Sequence, residues 1–208
     1  MALLAKLADL KTLLEISGTA QDDLLSLLLA EVTAQIEQHC GREFLYAAAD
    51  RTEYFDGGEL DLRLAVWPVA GYLAGGSLAR PVVKIAFDYA FDVMPASVEN
   101  LDYVVRWKRG ILTRLPDETC WPAGPGRIQV VYRGGYNDPS ALPVDGMDYV
   151  PPHVQQACLA QCEYLFSRHR ERGPTNFSMP GGAGGAGFSQ AYDLLPSVKK
   201  QLRIEVRV

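Results

Sequence analysis

In these 208 residues, His153, Cys158, Cys162 and His169 are the grouping whose types suit a metal ion, and their spacing argues against one. All four fall on one predicted helix of about four turns, and a single straight helix cannot wrap four ligands around a tetrahedral centre. Buried or idle thiols are expected instead. The other cysteines, Cys40 and Cys120, complete no CxxC pair, so reduced thiols of a cytoplasmic chain are the expectation. Gly182, Gly184 and Gly187 match GxGxxG in letters, yet no strand precedes them and no helix follows, so the turn that seats a pyrophosphate is missing. A linker is the better reading. No Ser or Cys lies in a nucleophile-elbow or papain-like setting. Asp22 and Asp23 open a helix, where its dipole explains them, and Asp56 belongs to a turn. No catalytic, cofactor-binding or metal-ligating residue is therefore assigned, and no cofactor and no enzymatic reaction are expected.

Charge bounds the partners. Twenty Lys and Arg against 25 Asp and Glu leave a net charge of -5, which argues against a protein whose main task is gripping phosphate backbones. Arg168, Arg170 and Arg172 form the strongest local positive run. They close a predicted helix, where the dipole alone favours cations, and contact with an acidic partner is the functional alternative. No apolar run approaches the roughly 20 residues of a membrane span, and Met1 to Leu14 lacks a signal-peptide cleavage pattern. Synthesis in a cytoplasm and no membrane partner are expected.

The elements that would position these residues follow from periodicity. Leu3, Leu7, Leu10 and Leu14 mark one helical face, ended by Gly18. Thr19 and Asp22 resemble a capping box before a second helix, which ends at Gly41 in the manner of a left-handed cap. Its stripe of Leu25, Leu28, Leu29, Val32 and Ile36 is widened by Leu24 and Leu27 beyond what one core needs. Leu24, Leu27 and Leu28 are therefore candidates for a contact between copies of the chain. From Asp50 the period becomes two, with an Asp56-Gly57-Gly58 turn predicted to make a hairpin, and strands are predicted over Val82 to Phe91, Tyr103 to Trp107, Ile111 to Leu115 and Ile128 to Tyr132. Lys108-Arg109-Gly110 should turn the middle pair. The tryptophans and tyrosines of this stretch are expected as core. Pro151 and Pro152 open a third main helix reaching about residue 172.

The expected class is α+β: a helical core from residues 1–46 and 151–172, an antiparallel β subdomain over about 50–136, and a flexible C-terminal arm. Residues 1–172 would form one domain, 173–191 a glycine-rich linker and 192–208 a docking arm. Leu202, Ile204, Val206 and Val208 alternate with Arg203, Glu205 and Arg207, which predicts a strand with no obvious partner in its own chain, completed either on a sheet edge of another protein or neighbouring copy or on the chain's own β subdomain.

Soft motifs in a fixed order add a resemblance. Leu7-Ala8-Asp9-Leu10-Lys11, Asp22-Asp23-Leu24-Leu25 and Ile36 to Phe44 are followed by Thr52-Glu53-Tyr54-Phe55-Asp56-Gly57 and Gly110 to Leu115. Trp121-Pro122, Ile128 to Tyr136 and Val150-Pro151-Pro152 complete the series. In this order the chain resembles the head-tail connector, or adaptor, family of long-tailed double-stranded DNA bacteriophages, in its longer branch with a β insertion. The resemblance implies a virion structural protein forming a dodecameric ring under the portal, and the alternating Leu202, Ile204, Val206 and Val208 of the arm are then the candidates for portal docking. It also implies a head-closure or tail-completion protein below and double-stranded DNA passing through the channel. Alternatives are another virion assembly protein, such as a head-closure or tail-completion factor, and a nucleic-acid-binding accessory of DNA packaging.

Overall fold

The computed structural model describes residues 3–47, 49–69, 81–86, 90–91, 96–97, 101–115, 120–140, 147–171 and 193–206. The glycine-rich segment, Arg172 and Val208 lie outside them. The chain divides into two compact units, one of residues 1–41, 138–140 and 150–208, the other of residues 42–137 and 141–149. The first is helical and the second is built of strands, so the expected α+β class is borne out.

The helical unit holds α1 (Leu7–Leu13), α2 (Asp22–Cys40), α3 (Pro152–Glu171) and α4 (Pro196–Leu202). Helix α3 packs against each of the other three. Helices α2 and α3 pack together, and the buried residues Leu25, Leu28, Leu29, Val32 and Ile36 of α2 and Val154, Ala157, Cys158, Cys162 and Phe166 of α3 recur at i, i+3 and i+4 and onward, as one apolar helix face requires. Helix α1 is shorter than its leucine repeat predicts. It ends before Gly18 because Ile16 N donates to Lys11 O (3.0 Å) and Glu15 N to Thr12 O (3.2 Å), the paired bonds of a Schellman motif. Glu15 takes the left-handed position (φ 55°) usually given to glycine. Thr19 and Asp22 make no capping box either. No side chain caps α2, and the Asp22 carboxylate is taken by Lys11 at 2.7 Å, which ties α1 to the start of α2. Gly41 (φ 65°) closes α2 as its sequence position predicts.

The second unit contains two three-stranded antiparallel sheets. With strands β1 (Arg51–Phe55), β2 (Asp61–Arg63), β3 (Val82–Ile85), β4 (Tyr103–Arg106), β5 (Ile111–Arg114) and β6 (Ile128–Tyr132), the orders are β1-β6-β3 and β2-β5-β4. The β4–β5 hairpin turns through Lys108-Arg109-Gly110 as predicted, pairing Tyr103 with Arg114 and Arg106 with Ile111. The hairpin expected at Asp56-Gly57-Gly58 is not formed, since β1 and β2 belong to different sheets. The reason is a competing set of bonds. Asp56 Oδ1 accepts Gly126 N (2.8 Å), Asp56 O accepts Gly124 N (2.8 Å) and Gly58 N donates to Trp121 O (2.8 Å), so the turn is sewn to the 121–126 loop instead. Gly57 (φ 72°) passes so close to the Pro122 carbonyl that no side chain would fit.

Trp121, Tyr103, Tyr132, Leu112, Ile128 and Val130 center one shared core, in line with the aromatics being structural. Two polar devices close it. Glu53 accepts the Tyr132 hydroxyl (2.7 Å) and Ala65 N (3.2 Å), while Val66 N donates to Tyr132 Oη (3.1 Å), joining β1 and β6 to the segment after β2. Arg42, only 3% exposed, lies with its guanidinium 3.7 Å from the Trp67 ring centroid, 4.3 Å from that of Phe44 and 5.7 Å from that of Tyr136, and donates to Trp67 O. A planar, weakly hydrated cation can be buried on aromatic faces in this way where an ammonium cannot.

Candidate assembly surfaces

The C-terminal segment departs most from expectation. It is α4 followed by a turn, and the predicted strand is absent because Leu194, Val198 and Leu202 recur every four residues and are all buried within the helical unit. Helical spacing outweighs the alternation that begins only at Leu202. Leu202 is fully buried while Ile204 is 79% exposed, so the four residues assigned to portal docking do not share one face.

Two contacts seat this segment on α3. The Gln161 side chain, fully buried, accepts Leu195 N at Oε1 (2.9 Å) and donates to Asp193 O (3.3 Å). One amide thus satisfies both a donor and an acceptor of the backbone at the start of α4. At the other end, His153 Nε2 meets Glu205 Oε1 at 3.0 Å. The segment begins at Gln161 and ends at His153, so α4 runs antiparallel to α3. Sequence reasoning missed both anchors, although Gln161 stands on the apolar stripe between Cys158 and Phe166, where a polar residue needs an explanation. Beside this joint lies a cleft of about 250 Å³ lined by Gln35, Gln38, His39, Asp193 and Leu194. Its carboxylate, Asp193, is held below the usual range by Lys199 and by Leu194 N.

The α2 leucines separate. Leu28 is buried in its own unit, Leu24 is half-buried, and Leu27 is 65% exposed between the exposed acids Asp23 and Glu31. Of the α3 cations, Arg168 and Arg170 are exposed, with Arg168 5.9 Å from the Tyr164 ring centroid. Cys158 and Cys162 are both buried, and their mutual hydrogen bond together with burial pushes the Cys162 thiol up. Among the described residues, no group of three or more His, Cys, Asp or Glu could hold a metal ion, and no helix is long and apolar enough to cross a membrane.

Residues 4–71 match the phage gp6-like head-tail connector protein family. The resemblance drawn from the ordered motifs is borne out over that stretch. No curated protein matches the chain. Among solved structures, a chain of the "Neck of empty GTA particle computed with C6 symmetry" is similar at 16% identity and a TM-score of 0.51. A chain of the "Virion of native gene transfer agent (GTA) particle" is similar at 17% identity and 0.53. Each alignment covers 99% of this chain and 90% of the other, so the likeness of fold to these two chains extends along both units.

Proposed function

We propose that this protein is a structural subunit of the neck of a tailed phage or phage-like particle, a head-tail connector that joins capsid to tail. The observation that carries the reading is a match of residues 4–71 to the connector family within a fold shared along 99% of the chain with chains of gene transfer agent particles. In this reading the chain works by binding and catalyses nothing. It forms a ring, a dodecamer, beneath the portal, meets a head-closure or tail-completion protein on its far side, and lets double-stranded DNA pass. A net charge of -5 suits a conduit that must not grip its cargo. Ring formation needs a surface beyond the subunit's own core, and Leu27 on α2 supplies an apolar residue that the core leaves uncovered.

Coexpression with the portal protein of its own particle tests this. Copurification, with rings visible by negative stain and counted by native mass spectrometry, is the expected result. Salt-sensitive binding to DNA in place of portal binding would instead favour a packaging accessory and overturn the connector reading.

A further inference from the structure

A closed ring built from one kind of subunit uses two different patches that fit each other, because a head-to-tail contact joins one surface to another and not a surface to itself. The helical unit presents two patches of matching design. On α2, Leu27 is 65% exposed and stands between Asp23 and Glu31, four residues before and after it and hence on one helical stripe. On the C-terminal segment, Ile204 is 79% exposed and stands with Lys200, four residues earlier, and Arg203, both exposed. These are the two most exposed large aliphatic residues of the unit among the described residues. Among the described residues, none of Asp23, Glu31, Lys200 and Arg203 takes part in an ion pair, although nearby charges are matched, Lys11 with Asp22 and Lys199 with Asp193. Among the described residues, charges beside the two patches are matched and those of the patches are not.

We infer that these two surfaces are partners: the Ile204 patch of one subunit docks on the Leu27 stripe of a second copy of this chain, aliphatic on aliphatic and cations on carboxylates. This deepens the ring reading above and rests on it. Two exposed aliphatic groups that become buried supply the attraction, and the opposite charges around them set register and exclude the like-with-like pairings. Docking of α4 on α3 is then a condition of assembly, because Gln161 and His153 hold Ile204 in a fixed place from which it can reach a neighbour.

Cross-linking tests the contact directly. Of the four cysteines only Cys120 is exposed, so Cys120→Ser gives a quiet background. In that background, a variant with both Leu27→Cys and Ile204→Cys should oxidise into a ladder of covalent multimers, while either single change yields monomers. In parallel, Asp23→Arg with Glu31→Arg should weaken ring formation at least tenfold, and adding Lys200→Glu with Arg203→Glu should restore it. Rings in the wild type together with no ladder and no effect of charge reversal would overturn this inference and leave the ring reading standing. Covalent dimers from Leu27→Cys alone, or cross-links from Ile204→Cys to the portal, would equally overturn it. A wild-type protein that forms no ring alone or with the portal would remove the ring reading and this one together.

Discussion

The two units are held by different kinds of interaction. The helical unit is made of apolar stripes read three or four residues apart, and a fully buried side-chain amide, Gln161, serves a segment that arrives from 34 residues further along the chain. The β unit places polar groups at its joints: Arg42 on three aromatic rings, and Glu53 with Tyr132, two residues of one sheet that together hold the backbone of Ala65 and Val66 just after β2 of the other. Stripes alone orient helices against each other, because each ridge finds a groove. Two small sheets with few residues each bury less per strand, so their relative placement depends on a handful of directional contacts. Polar substitutions should therefore damage the β unit more than the helical one.

Arg42 is the sharpest place to break that comparison. Arg42→Ala removes a desolvated cation from the faces of Trp67 and Phe44 and leaves the Trp67 carbonyl without its donor, for a loss of roughly 3 kcal/mol. Arg42→Lys should recover less than half, since an ammonium lacks the planar face that stacks. Urea unfolding followed by tryptophan fluorescence measures both, and a cost below about 1 kcal/mol for Arg42→Ala would show that the stack is incidental. The helical counterpart is Gln161→Met, which keeps volume but orphans Leu195 N and Asp193 O, for about 2 kcal/mol. Its damage should be confined to α4. Limited proteolysis should cut the variant between residues 193 and 206 faster than wild type while α1, α2 and α3 stay intact, and a cleavage pattern identical to wild type would refute the anchor.

Tyr132 adds a dependence on pH. Burial first, and then the hydrogen bond to the Glu53 carboxylate, raise its pKa above the ordinary value of 10.0. Above pH 10 the unfolded chain releases that proton while the folded one keeps it, so the unfolded state binds fewer protons and stability falls as pH rises. The contribution is fully present below pH 10 and is lost above it. Tyr132→Phe should cost about 1 to 2 kcal/mol at neutral pH and flatten this alkaline decline. An unchanged slope in the variant, measured by urea unfolding at pH 9 and pH 10.5, would assign the decline to other groups.

The same contrast explains which parts of the fold were legible. The stripes of α2 and α3, the Gly41 cap and the β4–β5 hairpin follow from spacing within one segment, and all are as the sequence predicts. The Asp56-Gly57-Gly58 turn was misread because its residues suit a hairpin, while the bonds that decide its course come from Gly124 and Gly126, some seventy positions away. The C-terminal segment was misread for a related reason. Alternation over Leu202 to Val208 is a true pattern, but Leu194, Val198 and Leu202 form a helical one that overlaps it, and α3 offers a face only to the second. The candidate assembly surface is a different case. An excess of leucine marks α2 in the sequence, but only burial separates the exposed Leu27 from the buried Leu28, since both belong to the same widened stripe.

That separation gives the smallest expected effect on stability and a decisive one on assembly. Leu28→Asp would bury a carboxylate in the helical core and unfold the unit, so it reports nothing about surfaces. Leu27→Asp places the charge in water, and because Leu27 contributes little to its own core the monomer's stability should change by no more than about 0.5 kcal/mol. Its neighbours Asp23 and Glu31 are already acidic, so the new carboxylate adds mild local repulsion within the helix, itself a few tenths of a kcal/mol. In the proposed ring the consequence is different in kind. There Leu27→Asp removes the aliphatic group that Ile204 of a neighbouring copy would cover and sets a carboxylate that must lose its water against that side chain, so the contact should no longer form. Thermal unfolding that matches wild type, together with loss of rings by native mass spectrometry, is the outcome expected. Rings that persist in a folded Leu27→Asp protein would move the interface off α2 and assign the exposed leucine to ordinary surface.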